Sequence, residues 1–518
     1  MNITVPTSLA NILEESFQQH ADKPAFSCLG QTLNFKDIDE KSTALAKWLQ
    51  RDSGLNQGDR VAIQLPNLTQ YPIAAYAILR AGMVIVNTNP LYTEREMAHQ
   101  LKDSGAKAIF IFQDRLPSLN SIITDTQISK VIEVGPADLL TGSTTLIDEN
   151  NHGFCQLLTD NPNVELQPRS NDIDETIVLQ YTGGTTGVSK GAELSNKNIV
   201  SNYLQNEVVT GDFNLVGEEI SVAPLPLYHI YAFGINIVMS GIRGSLSVLI
   251  PNPRDLDATV AAMKPFKFTS FSGINTLFVA LCHHEGFKEL DFSKLKLTCS
   301  GGSTLTSSAY HLWESITGCT ISEGYGLSET SPVLTMNKPR EEEIGTVGKP
   351  LPDTIIEIRN SNNVAVAHGE EGEIVAKGPQ VMKGYWNLSA ETNNVMTEDG
   401  FFKTGDIGIR LPSGSIKIVD RMKDMIIVSG FNVYPNEIEE ILTLHPLIIE
   451  AAVIGENDDT TGERVCAYIT VRDELDVEQV IAHCREQLTP YKVPKKVVIL
   501  DELPKSTVGK ILRRELRA

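Results

Sequence analysis

The sequence predicts an α/β protein built mainly from parallel sheets that helices cover. Short apolar runs alternate with segments of helical periodicity, as they do in βα units. Buried strands are predicted at residues 61–65, 84–86, 108–112 and 130–134, and a helix at 70–80. A second observation is a change of pattern near Asp420, where a hairpin is followed by a charged cluster.

The C-terminal part repeats the βα pattern on a smaller scale. Residues 405–419 read as a hairpin with its turn at Pro412-Ser-Gly, and residues 421–424 form the charged cluster. The elements predicted after it are a strand at 425–428, a helix at 435–444 and a strand at 450–453. This tail of about one hundred residues is long enough for a core of its own, so we predict a domain boundary at Asp420.

The most informative segment is a glycine- and hydroxyl-rich loop after the predicted strand 176–180. From Tyr181 to Gly191 it holds four glycines, three threonines, a serine and Lys190. Glycines let backbone N–H groups turn toward an anion, and hydroxyls and an ammonium add donors, so the loop suits a nucleotide triphosphate. It is not the usual P-loop, because two residues separate Gly187 from Lys190. A flexible polar linker is the alternative.

Composition and charge disfavour several classes of protein. The net charge of −21 disfavours a general nucleic-acid binder, although local basic residues and a metal ion can still bind an anion. Seven scattered cysteines without a C-x-x-C pair predict reduced thiols and a cytoplasmic location. We predict neither a secretory signal nor a membrane span, which needs about twenty apolar residues. Peripheral contact with the inner face of a membrane stays open.

A series of motifs spread over most of the chain resembles the acyl-adenylate-forming superfamily, which includes acyl-CoA synthetases, luciferases and peptide-synthetase adenylation domains. In order, the motifs are Leu79-Arg-Ala-Gly-Met83 with Asn87-Thr-Asn-Pro-Leu-Tyr92, the loop 181–191, Ser300-Gly-Gly-Ser303, Glu323-Gly-Tyr-Gly-Leu-Ser-Glu-Thr330, Gly384-Tyr-Trp386, Thr404-Gly-Asp406, Asp420-Arg-Met-Lys-Asp424 and Pro504-Lys-Ser-Thr-Val-Gly-Lys510. Such an ordered set is far more specific than any one of its motifs.

The resemblance implies a fold and a set of ligands. Residues 1–420 would form a large N-terminal AMP-binding domain of helix-covered parallel and mixed sheets with a β-barrel-like subdomain. Residues 421–518 would form a small, mobile α+β C-terminal domain. The family uses ATP, Mg²⁺ and coenzyme A: a carboxylate attacks the α-phosphorus of ATP, and a thiol then displaces AMP from the acyl-adenylate. A homodimer is a further family expectation.

The resemblance also implies the ATP site, residue by residue. The residues implied to bind ATP or AMP are Thr182, Gly183, Gly184, Thr185, Thr186, Gly187, Lys190, Gly301, Gly302, Ser303, Glu323, Gly324, Tyr325, Gly326, Leu327, Ser328, Asp406 and Arg421. Glu329 and Thr185 would hold the metal. Lys510 would bridge the substrate carboxylate and the α-phosphate, and the implied catalytic set is Lys510, Glu329, Thr185 and Lys190. A solvated basic tail is the alternative for Lys510, and a surface carboxylate for Glu329.

The resemblance implies two arrangements of the C-terminal domain. Lys423 takes the hinge position, and a swing about it would exchange Lys510 for a second face. That face carries the implied coenzyme A path of Ser429, Gly430 and Phe431, where a glycine lets the narrow pantetheine arm pass close to the backbone. A β-bulge glycine is the alternative.

Two segments, 404–421 and 424–439, resemble the fatty acyl-CoA synthetases, and above all the bacterial long-chain fatty acid–CoA ligases of β-oxidation. The implied acyl pocket includes His229, Phe233, Gly234, Gly273 and Ile274. The predicted helix 228–244 contains no Asp or Lys that could pair with a second charge on the substrate. An apolar tail therefore fits best, since each buried methylene contributes about 0.8 kcal/mol. Ordinary core packing is the alternative for these residues.

We therefore expect a ligase that activates medium- or long-chain fatty acids through acyl-AMP. One alternative is an adenylating enzyme with an aryl or other carboxylate, or with a carrier protein as acceptor. Another is a non-catalytic adenylate-binding sensor, against which the presence of Lys510, Glu329 and Asp406 argues.

Overall fold

Four sheets organise residues 3–159, 165–182, 188–458 and 460–517, which the computed structural model describes. Two are large and contain parallel strands, and two are smaller and mainly antiparallel. The α/β prediction, with a large N-terminal part and a smaller C-terminal part, is confirmed.

Among the observed strands, those predicted up to residue 180 lie within two residues of their predicted bounds, whereas the strand predicted at 450–453 is part of an eleven-residue strand. Their bounds are β1 Pro24–Cys28, β2 Gln31–Asn34, β3 Arg60–Gln64, β4 Val84–Asn87, β5 Ala108–Phe112, β6 Lys130–Val134, β7 His152–Gly153, β8 Thr176–Thr182, β9 Lys190–Ser195, β10 Ile220–Ala223, β11 Leu246–Leu249, β12 Ser270–Gly273, β13 Leu297–Ser300, β14 Ile321–Gly326, β15 Val333–Met336, β16 Lys349–Pro350, β17 Ile355–Arg359, β18 Glu371–Lys377, β19 Phe402–Arg410, β20 Ile416–Arg421, β21 Ile426–Val428, β22 Phe431–Val433, β23 Ile448–Asp458, β24 Gly462–Val471 and β25 Lys496–Ile499.

The helices cover the sheets. Their bounds are α1 Leu9–Gln19, α2 Phe35–Arg51, α3 Gln70–Arg80, α4 Glu94–Ser104, α5 Leu116–Asn120, α6 Asp138–Thr141, α7 Asn196–Thr210, α8 Ile230–Ala232, α9 Ser240–Arg243, α10 Leu256–Met263, α11 Asn275–His283, α12 Glu285–Lys288, α13 Ser307–Thr317, α14 Ser389–Val395, α15 Pro435–Thr443 and α16 Val477–Gln487. The predicted helix 70–80 is α3, and all of its residues are buried, as its apolar sequence requires. Of the helices described, none combines the length and the apolar character needed to cross a membrane.

The predicted helix 228–244 differs from the observed one in its bounds and its geometry. It begins at Ile230 and ends at Arg243, and its middle, Phe233–Met239, is a π-helix between α8 and α9. The Ser240 backbone N–H bonds the Ile235 carbonyl, five residues back, which widens the turn. The hydrophobic pattern alone could not predict this, because both helix types bury the same apolar side chains.

The first large sheet has the strand order β7-β6-β5-β3-β4-β8-β9, parallel except for the β8–β9 pair. The second has the order β16-β15-β14-β13-β12-β10-β11-β1-β2 and is parallel from β14 to β1. In the second sheet the register pairs Gly273 with Ser300, which are the last residues of β12 and β13, and Ser300 with Glu323 in the middle of β14. Residues from three predicted motifs therefore meet at one edge, where ligands of open α/β sheets bind.

The predicted β-barrel-like subdomain is a four-stranded antiparallel sheet, β17-β18-β19-β20. Its apolar residues pack with Tyr325 and Leu334 of the second large sheet. The predicted hairpin is β19 and β20, and their register pairs Asp406 with Arg421. The hairpin thus places two predicted ATP residues opposite one another beside the edge of the large sheet.

The C-terminal sheet, β22-β21-β24-β23 with β25 on β24, forms its own core with α15 and α16. Contacts join this part to the rest of the chain. The Ser307 backbone N–H donates to Glu440 Oε1 at 3.3 Å, and Arg472 Nη2 donates to His283 Nε2 at 2.9 Å. The predicted boundary at Asp420 lies just before the end of β20 and stays a prediction.

Arg513 joins the end of the chain to the predicted boundary. Its guanidinium contacts Glu439 at 2.7 and 2.9 Å, Asn436 Oδ1 at 2.6 Å and Asp420 Oδ1 at 3.3 Å. The Asp420 side chain is fully buried, and burial raises its pKa above the usual range although Arg513 acts in the opposite direction. Arg513 is therefore a structural residue and not part of a solvated basic tail.

We expect Arg513→Ala to destabilise the C-terminal part by about 3–5 kcal/mol, because it leaves the buried Asp420 carboxylate without its cation. Thermal unfolding and hydrogen exchange of the full chain measure the effect. Arg514→Ala is the matched control, since the neighbouring Arg514 is exposed. Equal stability of the two variants would contradict the role of Arg513.

Candidate active site

The loop predicted to bind phosphate connects two antiparallel strands of the first large sheet. Strand β8 ends at Thr182 and β9 begins at Lys190, and the two residues face each other in the register. Outside the described residues lie the predicted phosphate and metal ligands Gly183, Gly184, Thr185, Thr186 and Gly187. The described part of the site therefore consists of the two stems of the loop and their surroundings.

Helix α4 holds both stems. The Tyr181 hydroxyl donates to Asp103 Oδ2 at 2.5 Å, and the His99 N–H at Nε2 donates to the Ser189 carbonyl at 2.8 Å. Ser189 Oγ donates to the Thr182 carbonyl at 2.5 Å. Chain on each side of the loop is thus anchored to the same helix.

Lys190 and Glu329 are connected through one tyrosine. Lys190 Nζ is 2.6 Å from Glu391 Oε2 and 5.0 Å from the centroid of the Tyr385 ring. The Tyr385 hydroxyl donates to Glu329 Oε1 at 2.8 Å. Tyr385 and Glu391 are not among the site residues predicted from the sequence. Tyr385 lies in one of the family motifs, whereas no sequence signal points to Glu391.

Glu329 lies in a short 3₁₀ turn, Ser328–Thr330, and is only 8 % exposed, so it is not a solvated surface carboxylate. Burial raises the pKa of Glu329 above its usual range, while the hydrogen bond from Tyr385 and the nearby Arg421 act in the opposite direction. A buried carboxylate of this kind fits Mg²⁺, which takes one or two protein carboxylates together with phosphate oxygens.

Asp406 lies at the centre of a buried polar cluster. The Tyr325 hydroxyl donates to Asp406 Oδ2 at 2.7 Å, and Arg421 Nε lies 3.5 Å from Asp406 Oδ1. An ionised carboxylate accepts up to four hydrogen bonds, so Asp406 can accept others beside these. Asp406 and Arg421 also influence the pKa of Glu329 and of Lys510, which shows that the four charged groups share one site.

The carboxyl end of β13 and strand β14 form a wall of the candidate site, and Tyr325 of β14 contacts Asp406. Gly301 follows β13, and a Cβ there would lie 3.4 Å from Tyr231 and from the Gly324 carbonyl, so the residue is closely surrounded. Ser303 Oγ is buried and has no hydrogen-bond partner within the part of the chain that the structure describes. Gly302 is exposed at a positive φ of 80°, which favours glycine.

The rest of the wall comes from β14 and the residues after it. Glu323 Oε1 accepts the Leu305 backbone N–H at 3.1 Å, and burial raises the pKa of Glu323 to about 8. Gly326 is the last residue of β14, and Leu327 and Ser328 lead from it into the turn that holds Glu329. The motif 323–329 therefore spans the distance from the sheet edge to the predicted metal ligand.

Lys510 reaches the site from the C-terminal end of the chain. Its loop contacts the N-terminal part through the Tyr228 hydroxyl, which donates to Thr507 Oγ1 at 2.7 Å, and through Thr276 Oγ1, which donates to the Gly509 carbonyl at 3.0 Å. Burial and the nearby Arg421 lower the pKa of Lys510 to about 7. This arrangement presents the predicted catalytic lysine to the nucleotide residues.

The predicted acyl residues lie beside the Lys510 loop. His229 accepts the Tyr231 backbone N–H at Nδ1, 3.3 Å away, and burial and the Lys510 ammonium lower the pKa of His229 to about 4. Ile274 follows β12 and is buried close to Gly509. Phe233 is buried and Gly234 follows it in the π-helix, and Gly273, the last residue of β12, directly precedes Ile274.

The predicted hinge and coenzyme A residues are exposed, whereas Lys510 is not. Lys423 follows β20 and is exposed, and partial desolvation and Arg421 lower its pKa to about 8. Ser429 and Gly430, at φ values of 51° and 83°, form the exposed turn of the β21–β22 hairpin. Phe431, 56 % exposed, stacks on Tyr491 with ring centroids 4.9 Å apart. The described structure places these three residues in solvent, in contrast to Lys510.

Known protein families match most of the chain. The sequence model of the AMP-binding enzyme family matches residues 13–386, and that of the AMP-binding enzyme C-terminal domain matches residues 437–510. A long-chain-fatty-acid–CoA ligase of Yersinia pestis is 42% identical over 99% of this chain and 94% of its own. A long-chain-fatty-acid–CoA ligase of Escherichia coli O157:H7 is 41% identical over 98% of this chain and 94% of its own.

Solved structures have the same fold. ATP-bound MatB from Rhodopseudomonas palustris has a TM-score of 0.85 and 28% identity, and the match covers 98% of each chain. The anthranilate CoA ligase AuaEII in complex with anthranoyl-AMP has a TM-score of 0.91 and 23% identity, with 99% of this chain and 97% of that chain covered. The second likeness concerns the fold alone.

Proposed function

The chain belongs to the AMP-binding enzyme family, and from this premise we propose that it is an ATP-dependent long-chain fatty acid–CoA ligase. It converts medium- or long-chain fatty acids into acyl-CoA through an acyl-AMP intermediate and releases pyrophosphate and AMP. The observation that supports this proposal most strongly is the identity of 41–42% to long-chain-fatty-acid–CoA ligases over nearly the whole chain. The charged cluster around Asp406, Glu329 and Lys510 supports the adenylation chemistry.

In the first half-reaction the fatty carboxylate attacks the α-phosphorus of ATP, an acyl–phosphate bond forms, and the bond to pyrophosphate breaks. The Lys510 ammonium lies between the carboxylate and the α-phosphate and reduces their repulsion. Lys190 and the loop 182–187 hold the β- and γ-phosphates. Glu329, with Thr185, would hold Mg²⁺, which neutralises part of the charge on the phosphates.

The nucleoside binds between the sheet edge and the four-stranded sheet. Asp406 accepts hydrogen bonds from the ribose hydroxyls, because it is buried, acceptor-only when ionised and already oriented by Tyr325 and Arg421. The adenine lies against Gly301, Gly302 and Ser303, with motif 323–328 closing the pocket. The orphaned Ser303 hydroxyl supports this assignment, since a nucleotide would supply the missing partner.

In the second half-reaction the coenzyme A thiol attacks the acyl carbon, a thioester bond forms, and AMP leaves. We place the domain boundary between residues 420 and 421, with Lys423 as the hinge. Rotation of the C-terminal domain withdraws Lys510 and brings Ser429, Gly430 and Phe431 to the site. Their exposure on a hairpin turn supports this proposal, because a free turn can enter a cleft without breaking a core.

The acyl tail binds along α8 and the π-helix, near His229, Gly234 and Ile274. Its affinity rises with chain length, because each buried methylene contributes about 0.8 kcal/mol. We further propose a homodimeric, cytoplasmic enzyme that touches the inner face of a membrane, where its apolar substrates partition. Size-exclusion chromatography with light scattering and flotation with lipid vesicles test these two points.

A panel of aliphatic acids from butyrate to stearate, together with aryl acids such as benzoate, tests the proposed function. Pyrophosphate release and thioester formation are measured with and without coenzyme A. We expect release that depends on ATP and on a fatty acid, and acyl-CoA as the product. Pyrophosphate release without thioester would favour a carrier-protein acceptor, and release only with aryl acids would favour an aryl-CoA ligase. Release with none of the acids would contradict the proposal.

A further inference from the structure

The Lys190 ammonium takes part in an ion pair that the proposed mechanism does not use. Its Nζ lies 2.6 Å from Glu391 Oε2, although 201 residues separate the two in the sequence. The Lys190 side chain is 29% exposed and that of Glu391 is 43% exposed. Both side chains are therefore accessible to solvent, so an incoming ligand can reach the pair.

The position of Glu391 is set by a framework that does not depend on a ligand. Thr392, its neighbour in α14, accepts the Tyr385 backbone N–H at 2.9 Å on Oγ1. The Trp386 backbone N–H donates to the Gly191 carbonyl at 2.8 Å. The same stretch of chain thus joins α14 to β9, the strand on which Lys190 stands.

Contact with Glu391 and with the Tyr385 ring also orients the Lys190 ammonium. Lys190 Nζ lies over the Tyr385 ring, 5.0 Å from its centroid, and the hydroxyl of the same ring donates to Glu329. A lysine side chain has several rotatable bonds, and the carboxylate and the ring face together favour one of its conformations. The ammonium is thereby kept on the side of the site where Glu329 lies.

We propose that Glu391 is a positioning residue that serves as the counter-ion of Lys190 until the triphosphate of ATP displaces it. This inference rests on the proposed role of Lys190 in phosphate binding. Ion pairs of this exposure are weak, so a ligand with several negative charges replaces the carboxylate readily. Glu391 thus keeps Lys190 in place and competes with ATP at the same atom.

Glu391→Gln tests the proposal, because it removes the competing charge and keeps the size of the side chain. We expect the KM for ATP in pyrophosphate–ATP exchange to fall about two- to fivefold, with no gain in the maximal rate. Calorimetric titration with ATP should show the same gain in affinity. An unchanged or higher KM would overturn the proposal. Glu398→Gln is the matched control, since Glu398 is exposed in the segment after α14 and carries the same charge.

The double variant separates this proposal from the function on which it rests. Lys190→Gln alone should raise the KM for ATP, and adding Glu391→Gln should then have no further effect. If Lys190→Gln leaves the KM unchanged, the phosphate role of Lys190 is wrong, and the role of Glu391 fails with it. If Lys190→Gln raises the KM but Glu391→Gln lowers it equally with and without Lys190, only the counter-ion role is wrong.

Discussion

Lys510→Ala is expected to slow the adenylation half-reaction about a hundred- to a thousandfold and to leave thioester formation from supplied acyl-AMP largely intact. Lys510 is partly buried beside Asp406 and Arg421, and its loop is held by Tyr228 and Thr276. We propose that its ammonium is the cation that reduces the repulsion between carboxylate and α-phosphate. Quenched-flow measurement of acyl-AMP, and separate assay of acyl-AMP with coenzyme A, give the two rates.

The asymmetry between the two half-reactions is the informative result. Lys495→Ala is the control, because Lys495 is an exposed lysine of the same domain and its loss changes the net charge equally. We expect this control to match the parent chain in both assays. If Lys510→Ala lost both half-reactions to the same extent, the assignment of Lys510 to adenylation alone would be refuted.

The rate of adenylation should depend on pH through the protonation state of Lys510. Burial lowers the pKa of Lys510 to about 7, so the free enzyme loses this charge as the pH rises through neutrality. The value of kcat/KM for adenylation should therefore fall on the alkaline side. Bound anions stabilise the ammonium and raise its pKa, so kcat should fall only at higher pH. Lys510→Arg should abolish the alkaline limb, and a limb that persists in this variant belongs to another group.

Glu329→Gln is expected to reduce pyrophosphate–ATP exchange by at least about a hundredfold and to raise the Mg²⁺ concentration needed for half-maximal rate. A metal at the phosphates supplies several kcal/mol, and each 1.36 kcal/mol corresponds to about a factor of ten. The amide keeps the shape of the side chain and an oxygen that can still accept the Tyr385 hydroxyl. The loss therefore reports on the negative charge of Glu329 and not on the hydrogen bond.

The Mg²⁺ titration distinguishes this role from a structural one. A variant that had merely lost packing would show a lower maximal rate at an unchanged Mg²⁺ requirement, and its unfolding temperature would fall. Glu370→Gln, on an exposed turn before β18, serves as the control and should behave as the parent chain does. An unchanged Mg²⁺ requirement in Glu329→Gln would assign the metal to other groups.

The elements of the fold could be predicted where burial determines the residue pattern. β5, β6 and α3 have the predicted bounds, because continuous apolar runs of those lengths fit elements covered on both sides. The order of strands could not be predicted, since it depends on contacts between distant runs that look alike. The π-helix Phe233–Met239 also escaped prediction, because a shift of one hydrogen-bond partner leaves the apolar pattern unchanged.

The residues of the candidate site could also be predicted only in part. Family motifs pointed to Asp406, Arg421, Glu329 and Lys510, and the structure gathers their charges in one place. The partners of these residues were missed. Glu391 reaches Lys190 only through the fold, and Arg513 looked like part of a basic tail although it is tied to Asp420. A single sequence carries no record of which distant charges become neighbours.

Exchange of labelled pyrophosphate into ATP is the most direct test of acyl-AMP formation on this protein. The assay omits coenzyme A, so it follows the first half-reaction and its reversal alone. With Mg²⁺ and a long-chain fatty acid we predict rapid exchange that stops when the fatty acid is left out. A folded preparation that shows no exchange with any fatty acid would contradict an adenylating function.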